Sequence, residues 1–369
     1  MEAPKDFLIN PTSIEIYISF VFISILVFKI IRFFTSKLSK KYIDLHCHLD
    51  GSITIEIAKK LAAIQHMEKK SDKELENLLY APEECTSLNQ FLDCFSYPVS
   101  LMQSKEGLSE SVKLVADNIK SQGVIYAELR FAPQLHTQGK MNQEDAVKAA
   151  LEGLKRTDLK VNLILCFMRG KGNEKENWET LRLAKKYLVK DGGVVAVDLA
   201  GAEAIFPTKD YKDLFYECQK YHIPYTIHAG EADGPESVRK AIEFGTKRIG
   251  HGTRAIKDPS VVQLIKENGI FLEMCPTSNM QTKAVENMDE YPFMYYLNEG
   301  INVTLNTDDM AIERTTLAKE FEYMEKKFGL NKEQEKRILL NSINAAFTTD
   351  EVKQELRKKI KFNIFECLY

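Results

Sequence analysis

The sequence predicts an α/β fold: a closed (β/α)8 TIM-type barrel with an inserted helical cover between its first two strands and an N-terminal hydrophobic helix. Three observations lead there. Eight short apolar runs, rich in Val and Ile and punctuated by polar residues or glycine, recur from Tyr42 to Asp309, the pattern of strands buried on both faces. Stretches of helical periodicity fill the gaps, and strand alternating with helix eight times points to closure into a barrel. No G-x-G-x-x-G follows any run, which disfavours the alternative, an open doubly wound sheet.

Ahead of the barrel the composition is different. "IYISFVFISILVF" (16–28) carries no charge, and if Lys29 and Arg32 snorkel the apolar stretch reaches Phe34. Its 19 residues come close to the ~20 that a spanning helix needs. Only Lys5 precedes it, whereas Lys29, Arg32, Lys37, Lys40 and Lys41 accompany or follow it. The positive-inside rule then keeps the C-terminal body in the cytoplasm. A cleaved signal peptide fits poorly, because the charge bias is reversed and no small-residue cleavage site follows. Residues 1–41 are therefore a candidate membrane anchor, with a packed or interfacial helix as the alternative. Residues 42–369 form the barrel unit.

The eight runs are "YIDLHCHL" (42–49), "GVIYAELRF" (123–131), "VNLILCFM" (161–168), "VVAVDLAG" (194–201), "YTIHAG" (225–230), "RIGHG" (248–252), "IFLEMCP" (270–276) and "NVTLNTDD" (302–309). Helical patterns lie between them at 141–157, 177–191 and 259–269, several ending near a glycine. The gap from Gly51 to Gln122 is longer than one helix requires. Within it, "SLNQFLDCFSYP" (87–98) places Leu88, Phe91 and Phe95 at helical spacing, either as ordinary core or as an apolar cover over the barrel mouth.

Bulk properties exclude some classes. A formal charge of −3 and a pI near 6.2 give no ground for a nucleic-acid partner. The seven cysteines stand singly, with no CxxC, which fits a reducing compartment. The absence of P-C-x-x-C also removes the cysteine-ligated zinc deaminases, and HExxH is absent too.

Barrel chemistry sits at the C-terminal ends of strands. Four of the seven histidines fall there: His46 and His48 on run one, His228 on run five and His251 on run six. Glu231 follows His228, and Asp308 and Asp309 end run eight. His66, His136 and His222 lie elsewhere and read as surface or structural. His46 and His48, two apart on a strand, point to the same side. Burying so many unpaired polar groups would cost ~1–3 kcal/mol each, a cost that a divalent cation removes. His46, His48, His228 and Asp308 are the best four ligands, and this N/O set suits zinc. Glu231 is left as a proton carrier, and His251 and Asp309 remain to position the attacking water and the substrate. Run four has no Lys to bridge a second metal, so one ion per chain is expected.

The segments "HCHLDG" (46–51), "DLAGAE" (198–203), "HAGE" (228–231), "GHG" (250–252), "CPTSN" (275–279) and "LNTDD" (305–309), in this order, resemble the adenosine deaminase family of amidohydrolase-type barrels. The resemblance covers Tyr42 to about Phe347. It implies zinc on His46, His48, His228 and Asp308, and Glu231 as the donor to purine N1, with His251 orienting the attacking water. Asp309 would bind N7, the Gly201 backbone N3, and Asp50 the ribose 5′-hydroxyl. His48 would also border the substrate, with Leu88, Phe91, Phe95 and Met168 as apolar pocket positions. The implied reaction is deamination of adenosine, and of deoxyadenosine, to inosine, with no organic cofactor.

Departures fall outside the ligand set. Ala202 and Met310 stand where the family usually has an acid and often has Pro, and Ala132 where some members carry a hydroxyl. Alternatives stay open: a deaminase of adenine, N6-methyl-AMP or aminodeoxyfutalosine, or a membrane-tethered nucleoside-binding module without catalysis. Asp50 favours a free 5′-hydroxyl, since members acting on adenine tend to have Glu there and the N6-methyl-AMP type resembles "HLNG". A 5′-phosphate would be repelled by Asp50.

Overall fold

A computed structural model describes residues 40–82, 91 and 93–361. The apolar stretch 16–34 and the pocket candidate Leu88 lie outside the described residues. Among the described residues, no helix is long and apolar enough to cross a membrane.

All eight expected strands are present: β1 (Tyr42–His48), β2 (Val124–Phe131), β3 (Lys160–Met168), β4 (Val194–Ala200), β5 (Thr226–Ala229), β6 (Arg248–His251), β7 (Phe271–Met274) and β8 (Asn302–Leu305). They pair in parallel as two sheets, β1-β2-β3-β4 and β5-β6-β7-β8. Parallel bridges join the sheets at Val197 with Tyr225 and at Cys47 with Asp308. At the second junction the Asp308 N–H donates to the His46 carbonyl at 2.7 Å, and the His48 N–H donates to the Asp308 carbonyl at 2.9 Å. The ring is thus closed by the residues expected to carry the chemistry.

Boundaries differ from the sequence reading in one instructive way. The runs at 225–230, 248–252, 270–276 and 302–309 each yield only four strand residues. Gly230 and Gly252 turn to positive φ at 72° and 68° and end β5 and β6. Asp308 and Asp309 lie beyond β8 rather than on it. The expected helices appear as Gln143–Leu154, Glu174–Tyr187 and Pro259–Glu267. Asn142 caps the first in a reciprocal box with Asp145, and Pro259 opens the third behind the Asp258 cap.

The strand interiors are not uniformly apolar. On β2 the alternation is strict: Ala127, Leu129 and Phe131 join the main apolar core, whereas Glu128 and Arg130 enter an ionic column. Arg130 binds Asp198 at 2.7 Å and Glu273 at 2.8 Å. Arg248 binds Glu128 and Glu273, each at 2.6 Å. All five side chains are shielded from solvent, and both guanidiniums also donate to the Leu45 carbonyl. Three carboxylates against two guanidiniums leave one excess negative charge beneath the strand ends.

Candidate functional site

His46, His48, His228 and Asp308 each offer a ligand atom, and these atoms all lie within 4.8 Å of one another. β1 and β5 carry the three histidines, and the turn after β8 carries Asp308. Asp308 sits at φ 70° and His251 at φ 65°. A left-handed backbone is uncommon for such residues and is held only where surrounding contacts over-determine it. Gly250 permits the convergence, since a Cβ there would stand 3.0 Å from the His46 ring and 3.3 Å from the His228 ring.

For two of the imidazoles the far side fixes which nitrogen is free. His46 Nδ1 is hydrogen-bonded to Glu273 at 2.8 Å. His228 Nδ1 lies 2.8 Å from an Asp198 carboxylate oxygen, outside good hydrogen-bond geometry. Both nitrogens face acceptor-only carboxylates, so both carry the proton and the Nε2 lone pairs point inward. There they meet Asp308 Oδ1 at 3.3 Å from His46 and each other at 3.3 Å between His48 and His228. His46 Nε2 is buried without a hydrogen-bond partner. The His46 lone pair and the Asp308 carboxylate, facing one another, repel unless a cation sits between them. Protonation shows the same demand: burial and the Arg130 charge pull His46 down, yet Asp308 and Glu273 outweigh them and raise it to about 9. The donor set therefore fits a divalent ion.

Next to this cluster lies a cavity of about 380 Å³. Glu231, His251, Asp309, Asp50, Gly201, Phe91, Phe95 and Met168, all anticipated, line it together with His48, His228 and Asp308. His251 Nε2 is 3.5 Å from Glu231 Oε2 and 3.7 Å from Asp308 Oδ2. Burial, then Asp308 and Glu203, pushes Glu231 up to about 8. Burial and the charge of Asp308 hold Asp309 well above the usual carboxylate range. Burial raises Asp50 to about 6 and keeps His251 well below its ordinary value. The site therefore offers carboxyls able to hold protons near neutral pH and an uncharged imidazole. Among the described lining residues there is no Lys or Arg, while Asp50, Glu203, Glu231, Asp308 and Asp309 are all acids.

Several residues without an assigned role prove to matter. Thr282 donates to Glu231 Oε1 at 3.1 Å. Asn279 meets His251 Nδ1 at 3.0 Å and is itself held by Thr253 and Tyr291. Glu203 contacts the backbone of the loop bearing Glu231. Glu203 and Asn279 lie inside the quoted strand-end segments, so their position was a signal even though their contacts were not. His136 is fully buried beside Phe131, the structural rather than the surface option.

Residues 42–362 match the family described as adenosine deaminase. A protein of Haemophilus ducreyi named adenosine deaminase is 46% identical over 329 residues, covering 86% of this chain and 95% of that one. A Clostridium botulinum protein of the same name is 39% identical, covering 86% of this chain and 98% of its own length. Among solved structures, an adenine deaminase from Arthrobacter aurescens superposes with a TM-score of 0.78 at 25% identity, over 87% of this chain and 98% of that one. An Arabidopsis N6-mAMP deaminase gives 0.78 at 26% identity, over 89% and 99%.

Proposed function

The chain belongs to the adenosine deaminase family, and from that premise we propose that it hydrolyses adenosine, and 2′-deoxyadenosine, to the inosine nucleosides and ammonia. One observation carries the reading: a four-donor cluster shares a cavity with two carboxyls, Glu231 and Asp309, whose surroundings favour their protonated forms.

His46, His48, His228 and Asp308 would hold one zinc ion per chain. When bound, such an ion supplies the Lewis acidity that brings the pKa of water to ~7. The remaining work falls to the chain's own groups. Glu231, holding its proton, delivers it to purine N1 and takes up the proton the attacking water gives off, so that charge does not build on the ring as oxygen adds to C6. The same carboxyl then helps the 6-amino group leave as ammonia. His251, uncharged and fixed by Asn279, orients the water. Asp309, holding its proton, donates to N7, and the Gly201 backbone borders N3. Asp50 accepts from the ribose 5′-hydroxyl. Phe91, Phe95 and Met168 cover the purine faces and exclude water, Phe91 and Phe95 as part of an apolar cover between β1 and β2.

The lining also argues substrate class. A 5′-phosphate would meet the Asp50 carboxyl in a cavity with no cationic side chain among its described residues. This disfavours nucleotides such as N6-methyl-AMP. Ammonia release from adenosine, deoxyadenosine, adenine and AMP tests the assignment. Adenosine and deoxyadenosine should dominate, and faster turnover of AMP or adenine would overturn it.

We further propose that residues 16–34 tether a cytoplasmic barrel to a membrane, on the strength of the uncharged run 16–28, a 19-residue apolar span if Lys29 and Arg32 snorkel, and the lysines behind it. Activity of the full chain should then pellet with membranes, and activity of a chain lacking residues 1–41 should not. Equal partition of the two would refute the tether.

A further inference from the structure

One carboxylate in the site gathers an unusual number of donors. Glu203, in the turn after β4, is 2% exposed. Its Oε1 accepts from the Gly230 N–H at 2.7 Å and the Ser237 hydroxyl at 2.5 Å. Its Oε2 accepts from the N–H groups of Glu231, Ala232 and Asp233 at 3.0, 2.8 and 3.0 Å. Four consecutive amides of the loop after β5 thus converge on one side chain from a neighbouring strand end. Successive N–H groups pointing inward form an anion-binding nest, and here the chain supplies the anion itself.

The clamp is anchored behind. Ser237 Oγ also lies 2.7 Å from Thr208 Oγ1. Arg169 binds Thr208 at 3.0 Å and, with the same terminal nitrogen, the His228 carbonyl at 2.6 Å. The turn after β3, the turn after β4 and the first turn of helix Pro235–Glu243 therefore hold a short segment that carries His228 and Glu231. Gly230, at φ 72°, is the pivot, and a Cβ there would meet Val238 at 2.5 Å. Nothing else described grips the Glu231 backbone through its own N–H, and a general acid misplaced by about 1 Å can lose ~10²-fold in rate.

We propose that Glu203 is a positioning residue of the reaction, acting through the backbone of residues 230–233 to set where the Glu231 carboxyl meets the purine ring. The inference rests on Glu231 being the proton carrier. It does not require Glu203 to touch substrate or metal.

A double-mutant cycle on adenosine turnover, with bound zinc measured in each protein, tests this. Glu203→Gln keeps the shape but turns an acceptor into a donor facing other donors. It should lower kcat by ~10- to 100-fold while KM and zinc content hold. Placed on a Glu231→Gln background, it should cost no more than ~2-fold further, because the group it positions is gone. An equal loss in both backgrounds would make Glu203 an independent structural residue, and loss of zinc would assign it to the metal site; either overturns the inference. Ser237→Ala removes one donor and should show the same coupling at ~3- to 10-fold, which decides the matter if Glu203→Gln does not fold. If Glu231→Gln alone keeps near wild-type kcat, the role of Glu231 itself fails, a result distinct from a failed cycle.

Discussion

His46 Nδ1 lies 2.8 Å from Glu273 Oε2, and neither side chain reaches solvent. The same carboxylate also binds Arg130 and Arg248, so the orientation of a metal-facing imidazole is tied to a charge column through the barrel. Glu273→Gln should weaken zinc binding by ~10- to 100-fold, read by competition with a chelator. Unchanged affinity would mean that the column serves folding alone.

Glu231 stands 3.5 Å from His251 and outside the ligand quartet. Glu231→Gln should retain zinc and lose ~10²–10⁴ in kcat, the usual worth of acid–base help. Zinc content and steady-state rates check this together. A variant without zinc would place Glu231 among the ligands.

Gly51 packs directly on Asp309. A Cβ at residue 51 would stand 2.6 Å from Asp309 Cγ and 2.7 Å from its Cβ, so the whole carboxyl would have to move. Gly51→Ala should therefore mimic Asp309→Ala: zinc retained, kcat/KM down by at least ~10². Loss of zinc from Asp309→Ala would show that the roles of the two adjacent acids are reversed.

Glu320 offers a pH signature away from the metal. Burial raises it from 4.5 to about 7, despite the Thr277 and Thr315 hydroxyls that donate to it. The folded state then binds this proton more tightly than the unfolded chain. Its contribution to stability is complete below about pH 4.5 and is lost as pH rises to about 7, a fall of about 3 kcal/mol. Glu320→Gln can serve the same partners, because its amide donates to the hydroxyls and its oxygen accepts the Thr277 N–H. Urea unfolding at pH 5 and pH 8 should show a flatter dependence for the variant. Parallel curves would mean that Glu320 is already ionised at pH 5.

The ionic column was hidden in plain view. "GVIYAELRF" reads as an apolar strand, yet its Glu128 and Arg130 pair with Arg248 and with Asp198 and Glu273 from other strands. Period-two alternation assigns them a face. It cannot say that the face is the barrel interior, or that partners 68 to 143 residues away supply the counter-charges. Glu203 is similar: its place after a strand end is legible, but four amides arriving from one loop and a hydroxyl from the next helix are not.

By itself the sequence determined the strand count, the rim residues and the metal-type donor set, because side-chain period, glycine punctuation and ligand chemistry are local properties. Tertiary structure alone decided which imidazole nitrogen faces inward, which carboxyls hold protons and what fixes the Glu231 loop. Those depend on burial and on charges brought within about 3 to 4 Å across strands, and in a low-dielectric interior such distances govern the electrostatics.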